Sequence, residues 1–366
     1  MQIDARVEAW ASLQHVPGLS SRSLVALLKA FGGPAEVLGA SRASLSKFVA
    51  PELAAALARG GDRAEVERTL SWAGKPGHAL LAWDDPAYPP ALLTIVDPPP
   101  TLYCIGDSGY FSRPAVAIVG SRNATPQGRE NAHAFAAALS AAGLTIVSGL
   151  AQGIDAAAHR GGLEGSGSSI AVMGTGIDRV YPAANKDLAR ELAERGALLS
   201  QFALGAAPLP GNFPRRNRVL SGLARGVLVV EATPASGSLI TARFAVEQGR
   251  EVFAIPGSIH SPFSKGSHRL IKDGAKLVET AQDVLEELGI APSGDAAGEK
   301  DKLALAGTAS GAAARLLAAL GHDPAGVDLL VERTGLAAHE IAVLLVELEL
   351  AGQVRELPGG TFERVM

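Results

Sequence analysis

The sequence predicts a doubly wound α/β fold with an extended, mostly parallel Rossmann-like sheet, and three observations carry that prediction. Residues 115–119, 144–147, 170–173 and 227–230 are continuous apolar runs rich in Val and Ile, as strands buried on both faces of a parallel sheet must be. Each run is followed by a helix-like stretch, the alternation that builds βαβ units. Each closes on Gly120, Ser148, Gly174 or Glu231 rather than on a catalytic cluster. In such a sheet the strand ends line one crevice, and several arginines lie in the same part of the chain.

The 366 residues allow two or three domains, and 47% hydrophobic residues suffice for a core. No basic-then-apolar leader opens at Met1, and no uncharged apolar run reaches the roughly 18 residues of a membrane span. A cytoplasmic protein with no membrane association is therefore expected. The single cysteine, Cys104, removes internal disulfides and thiolate metal clusters and reads as a partly buried thiol. The net charge is −4, which by itself disfavours nucleic acid, but the charge is unevenly placed. Residues 114–275 hold sixteen Lys and Arg against eleven Asp and Glu, whereas residues 312–366 hold four against eight. The middle is basic and the tail acidic.

Residues 1–76 read as a small helical domain of the SAM or helix-hairpin-helix kind, with helices over 7–14, 21–31, 34–38, 45–49 and 51–59. The stretch from Leu13 to Ser20 has a hairpin outline in which Gly18 would let backbone amides approach a phosphate, although Ser20 stands where a second glycine is usual. Residues 77–290 form the Rossmann-like domain, entered through a proline-rich segment at 86–100 and an edge strand at 102–105. Residues 291–311, rich in Pro, Gly, Ser and Ala at 292–299, read as a linker. Residues 312–366 form a winged helix, with helices over 312–320, 327–334 and 337–350 and a hairpin turning at Pro358-Gly359-Gly360. Its third helix offers His339, Glu340, Glu347 and Glu349 where base readout would need Arg, Lys, Asn or Gln. Phosphate repulsion points this domain to protein or self contact instead. No repeat is apparent.

Four segments of the middle domain carry candidate chemistry. Gly120-Ser121-Arg122 precedes Thr125 and Pro126, an N-cap and first helical residue, so free amides and a helix dipole lie beside an arginine. This reads as an anion cradle without dinucleotide-fingerprint spacing. Ser148-Gly149 and Gly153 let the backbone come close to a ligand or a neighbouring helix. Asp155 and His159, four apart on one helix face, could form an acid–base dyad or half a metal site, but with no third partner at ligand spacing they read as a local hydrogen-bonded pair. Phe213 with Arg215, Arg216, Asn217 and Arg218 is the densest positive cluster, and arginines edged by an aromatic ring suit single-stranded nucleic acid. Ser236, Gly237 and Ser238 place hydroxyls and amides at another helix start, and Arg243 and Lys265 add to the field. No P-loop, GxSxG, HExxH or CxxC signature occurs, so no catalytic residue, cofactor or metal is expected.

Ala-Ile-Val-Gly-Ser-Arg at 117–122, Ser-Gly-Leu-Ala-Gln-Gly-Ile-Asp at 148–155, Gly-Thr-Gly-Ile-Asp at 174–178 with Tyr181-Pro182 and Asn185, Phe-Pro-Arg-Arg-Asn-Arg at 213–218, and Ser-Gly-Ser-Leu-Ile-Thr-Ala at 236–242 together resemble the DprA family, also called Smf. The likeness extends to the helical and winged-helix flanks and so to nearly the whole chain. It implies a non-enzymatic recombination mediator that binds incoming single-stranded DNA in natural transformation, shields it from nucleases and helps load the RecA recombinase. It also implies a homodimer formed through the Rossmann-like domain. On this likeness Gly120, Ser121 and Arg122 hold phosphate, Arg216 and Arg218 add backbone charge, and Phe213 stacks on a base. Gln201, Ala235 and His268 depart from the family's usual Glu, basic residue and Asn. The alternative from another class is a nucleoside monophosphate phosphoribohydrolase, but its Pro-Gly-Gly-x-Gly-Thr run and catalytic acid are replaced here by Pro-Ala-Ser-Gly-Ser.

Overall fold

A strand that is apolar on both faces must be covered above and below, and the chain supplies that cover by alternating strands with helices. The computed structural model describes residues 4–290, 311–321 and 324–365. Six helices come first: α1 (Ala5–Gln14), α2 (Ser21–Phe31), α3 (Pro34–Gly39), α4 (Arg42–Leu45), α5 (Pro51–Arg59) and α6 (Arg63–Ala73). Their starts are set by local chemistry. Asp4, Ser20, Ser41 and Asp62 each accept a first-turn amide through the side chain, and Pro34 and Pro51 sit where a missing N–H costs nothing. Gly18 takes a φ of 81° in the turn between α1 and α2, and Ser20, in place of a second glycine, serves as the N-cap of α2.

The sheet region follows as β1 (His78–Ala82), β2 (Thr101–Gly106), β3 (Ala115–Val119), α7 (Pro126–Ala141), β4 (Thr145–Ser148), α8 (Ile154–Gly162), β5 (Ser169–Val172), α9 (Lys186–Arg195), β6 (Ala197–Ser200), α10 (Asn212–Leu223), β7 (Gly226–Val229), α11 (Ser238–Glu247), β8 (Glu251–Ala254), α12 (Lys265–Lys272), β9 (Lys276–Leu277) and α13 (Ala281–Glu287). The nine strands run in the order β1-β2-β6-β5-β4-β3-β7-β8-β9. β2 is antiparallel to both β1 and β6, and the remaining pairs are parallel. The expected edge strand at 102–105 is therefore interior. The edge is β1, whose five residues are too short to announce themselves beside the proline-rich loop that joins it to β2.

Alternation within β3 and β7 shows the double cover. Ala117, Val119, Val227 and Val229 pack against Val219, Leu220 and Leu223 of α10 and Ala242 and Ala245 of α11. Val116, Ile118 and Leu228 face Phe135 and Leu139 of α7 and Ala158 of α8. Truncating a fully buried Ile118 or Leu139 to Ala would cost about 2–5 kcal/mol. The helical segment shares a core with the sheet, since Ala11, Val66, Leu70 and Trp72 cluster with Leu80, Tyr103 and Leu198. The break at residues 76 and 77 is thus a change of secondary structure between layers that share apolar contacts, and the described residues 4–290 belong to one compact unit. Among the described residues no helix is long and apolar enough to cross a membrane.

The expected linker at 291–311 lies outside the described residues except for its last residue. Beyond it α14 (Gly311–Leu320), β10 (Ala325–Gly326), α15 (Val327–Thr334), α16 (Ala338–Leu350), β11 (Val354–Leu357) and β12 (Thr361–Arg364) build a winged helix. Leu316, Leu320, Leu330, Ile341, Leu345, Leu348 and Val354 form its own core. Gly335 ends α15 in the left-handed region at φ 69°, as a helix C-terminus favours.

Candidate nucleic-acid interface

β4, β5 and β6 extend the sheet to one side of β3, and β7, β8 and β9 extend it to the other, so the strand order reverses between β3 and β7. Open α/β sheets bind ligands outside the carboxyl ends of their strands at such a switch point. A cavity of about 480 Å³ lies there, lined by Gly120, Ser121, Arg122 and Asn123 after β3, Phe213, Arg216 and Asn217 of α10, and Thr233, Ser236, Gly237 and Ser238 at the start of α11. A smaller hollow of about 80 Å³ adjoins it, lined by Arg122, Gly149, Gln152, Tyr181, Phe213 and Arg216. Phe213 and the two arginines stand in the walls of both.

The exposed Arg122 guanidinium lies 5.2 Å from the centre of the Phe213 ring, and Tyr181 lies 5.9 Å from it on centroids at an angle of 49°. A cation over an aromatic face holds both in place at a cost small enough to be exchanged for a ligand. Tyr181 is 46% exposed. Position 181 was legible only as part of the family likeness, because its partner comes from α10, more than thirty residues later.

The expected patch of three arginines is not one patch. The segment is helical, so residues 215, 216 and 218 point in different directions about the axis. Arg215 is exposed over the ring of Phe202 at 5.5 Å, and Arg218 is ion-paired to Asp97 at 3.4 Å and donates to Gln201 Oε1 at 3.1 Å. Arg216 is 95% buried, since only 5% of its surface is exposed. Its Nη1 donates to the carbonyls of Gly149 at 2.5 Å and Val172 at 2.6 Å, and its Nε to Asn217 Oδ1 at 3.0 Å. Burial lowers its pKa to about 10, which leaves it charged at neutral pH. A cation fixed in the crevice floor needs no ordering when an anion arrives. Gly149 is required for this approach, because a Cβ there would lie 2.0 Å from Arg216 Nη1.

Asp155 and His159 are not bonded to one another; each braces the loop between β4 and α8. Asp155 Oδ2 accepts the amides of Gly149 at 3.1 Å and Ala151 at 3.3 Å. Leu150 N donates to His159 Nε2 at 3.2 Å, which makes that nitrogen the acceptor, so Nδ1 carries the hydrogen and donates to Ser169 Oγ at 2.7 Å. Asn185 Nδ2 donates to the carbonyls of Leu150 and Ala151. These side chains hold Leu150 at a φ of 57°, a region β-carbon-bearing residues avoid. Burial and the nearby Arg216 push the His159 pKa down to about 3, so the ring is neutral, and burial raises that of Asp155 against the pull of Arg216. The network was hidden in sequence because its members lie in α8, β5, α10 and the turn before α9.

The other expected site residues divide. Gly120 packs under Ile154 and the Glu231 carbonyl, and Gly153, at φ 74°, lies against the backbone of Ser121 and Arg122. Ser148 is buried and donates to the Ile118 carbonyl at 2.6 Å, which ties β4 to β3 and keeps its hydroxyl from the cavity. Asn217 reaches toward Gly237. Arg243 is exposed in a pair with Glu247 at 3.0 Å, and Lys265 Nζ donates to the Ile259 carbonyl; neither lines the cavity. His268 bonds the Gly257 carbonyl at 3.0 Å, and Ala235 is exposed in the loop before α11.

Thr125 caps α7 and Pro126 begins it, as expected, but that helix end is not free. The Thr125 amide and hydroxyl donate to the Glu231 carboxylate at 3.0 and 2.6 Å. At the start of α11, Ser236, Gly237 and Ser238 line the cavity, and the first amides are satisfied within the turn: Ser238 N donates to Ser236 Oγ at 3.3 Å, and Leu239 N and Ile240 N donate to the carbonyls of Ser236 and Gly237 at 3.2 Å.

A doubly wound α/β protein with a preformed anion crevice at its switch point, followed by a winged helix, is the class this geometry defines. The family model described as DNA recombination-mediator protein A matches residues 79–289, and the DprA winged helix domain matches 300–360. Protein Smf of Escherichia coli (strain K12) is 44% identical over 307 residues, covering 81% of this chain and 80% of its own. The X-ray structure of DNA processing protein A from Streptococcus pneumoniae superposes with a TM-score of 0.68 at 38% identity, covering 78% of this chain and 99% of that one. DNA processing protein A of Helicobacter pylori, solved for its single-stranded DNA binding mode, gives 0.53 at 30% identity over 58% of this chain and 95% of its own. The chain belongs to the DprA/Smf family of DNA recombination mediators.

Proposed function

We propose that this protein is a non-enzymatic single-strand binder that receives DNA in the crevice at the ends of β3 and β7, protects it during natural transformation and hands it to the RecA recombinase. One observation carries the reading: a buried, charged Arg216, the exposed Arg122 and the half-buried Phe213 ring converge on one cavity with the serines at the start of α11. Phosphate neutralisation and base stacking are the two contacts a sequence-tolerant single-strand site needs. The strand binding of the Helicobacter pylori relative supports the same reading. Ser121, Asn217, Ser236, Gly237 and Ser238 contribute hydrogen bonds to phosphate, and Gly120, Gly149 and Gly153 permit the close backbone approach. Arg215, Arg218, Arg243 and Lys265 act at most through the field around the crevice, and Ser148 through the strand pairing beneath it. The protein works as a homodimer through its Rossmann-like domain.

Fluorescence anisotropy of labelled oligo-dT and of its duplex over a salt series tests the proposal. Binding that prefers the single strand and weakens with salt is expected, with a log–log slope of about −0.7 for each phosphate contacted. No binding at low salt would overturn it and turn attention to nucleoside monophosphates. Light scattering tests the dimer, and RecA filament assembly on protein-coated oligo-dT, followed with and without this protein, tests the hand-over.

A further inference from the structure

α16 carries two apolar faces, and only one of them is used by its own domain. Ile341, Leu345 and Leu348 turn inward and are buried in the winged-helix core. Roughly opposite them, at about 3.6 residues per turn, stand His339, Val343, Val346 and Leu350. Val343 is 58% exposed, Val346 56% and Leu350 86%. Apolar side chains scattered singly over a surface are ordinary, but these fall in one line along the helix with the alternating spacing of the a and d positions of a coiled coil. The positions that flank such a seam are Glu340 and Glu347 on one side and Ala342 and Glu349 on the other, all exposed. Glu340 accepts the Ala337 amide at 2.9 Å and Glu349 the Glu356 amide at 3.4 Å, but among the described residues no ion pair involves any of the three glutamates. The seam is apolar along its middle and acidic at both edges.

We propose that the outward face of α16 is a docking seam for a basic amphipathic helix of a partner protein, one with apolar side chains at its own a and d positions and Lys or Arg at the flanking e and g positions. Charge decides the class of occupant. Residues 312–366 hold four Lys and Arg against eight Asp and Glu, so a phosphate backbone is repelled from this face even though the third helix of a winged helix is the element that would enter a groove. A second copy of this chain is disfavoured for the same reason, because pairing the seam with itself brings glutamate-edged flanks together. A helix with basic flanks covers Val343, Val346 and Leu350 and gives Glu347 a counter-charge in the same step. The proposal concerns the winged helix alone and stands apart from what the crevice binds.

The test is fluorescence anisotropy of a labelled heptad-repeat peptide, with Leu at a and d and Lys at e and g, titrated with the full chain over a salt series. Saturable binding that weakens as salt rises is expected. Val346→Ser should weaken it by about tenfold and Glu347→Lys by about threefold, and both side chains are exposed, so the melting temperature and the affinity for oligo-dT should stay unchanged. No binding of the peptide at low salt overturns the proposal. So does equal binding by a peptide with Ser at a and d, which would mean attraction by charge alone, or binding that Val346→Ser leaves unmoved. Amide spectra of the unmodified protein titrated with the same peptide need no variant: shifts along residues 339–350 support the seam, and shifts confined to other segments overturn it. Light scattering separates the remaining occupant, since a mass that falls in Val346→Ser would assign the seam to a second copy of this chain and overturn the partner reading.

Discussion

The crevice between β3 and β7 and the third helix of the winged helix occupy the two places where folds of these kinds commonly meet nucleic acid, yet they carry opposite chemistry. The crevice presents Arg122 and Arg216 beside Ser236 and Ser238. α16 presents Glu340, Glu347 and Glu349 with exposed Val343, Val346 and Leu350 among them. A backbone fold therefore does not make a DNA surface; charge and donors at the right end of the elements do. The third helix of the winged helix is acidic and apolar on its exposed face, and the cations lie in the crevice.

The most severe way to break this contrast is Arg122→Ala. Loss of a charged contact to phosphate should weaken oligo-dT binding by about 30-fold and reduce the salt slope by about 0.7, measured by anisotropy. Unchanged affinity would remove the crevice as the working end. Phe213→Ala should cost about tenfold with an unchanged salt slope, because stacking releases no counterion. Because Arg122 lies over that ring, the double variant should lose less than the two single losses combined. Next in size is a stability effect. His159 is held neutral with a pKa of about 3 against 6.5 when unfolded, so the stability it contributes is complete above about pH 6.5 and is lost as pH falls toward 3. Unfolding free energies from urea titrations should fall by on the order of 1 kcal/mol per pH unit below pH 6, and His159→Gln should flatten that slope. The smallest effects are expected outside the crevice. Arg218→Ala and Glu347→Lys should each leave oligo-dT affinity within about twofold, since Arg218 is committed to Asp97 and Gln201 and Glu347 lies in the other unit. A tenfold loss in the first would restore the arginine cluster as one patch. A tenfold gain in the second would make the winged helix a second DNA surface.

Much of the architecture was legible because it is written in local patterns. The four apolar runs named their strands, Thr125 with Pro126 named the start of α7, and the Pro358-Gly359-Gly360 turn named the wing. β1 and α6 escaped because neither carries a strong period or a distinctive breaker. At the site, the need for glycine at 120, 149 and 153 was readable, and the structure shows what each glycine accommodates: Ile154 and the Glu231 carbonyl, Arg216, and the backbone of Ser121 and Arg122. The roles of Arg216 and Arg218 were not, because two arginines two residues apart look alike until a helix turns one into the sheet and the other toward Asp97.

What the sequence by itself determined is the strand–helix alternation, the basic middle and acidic tail, and the identity of the motifs that close the strands. Those follow from composition and short-range spacing, which folding does not alter. Only the tertiary structure decided that Glu231 binds the Thr125 cap of α7, that Asp155 and His159 brace a loop rather than pair, and that Arg216 lies buried beneath Gly149. Each of those outcomes joins residues up to 106 positions apart, and a carboxylate or guanidinium chooses its partner by distance in space, which no local pattern encodes.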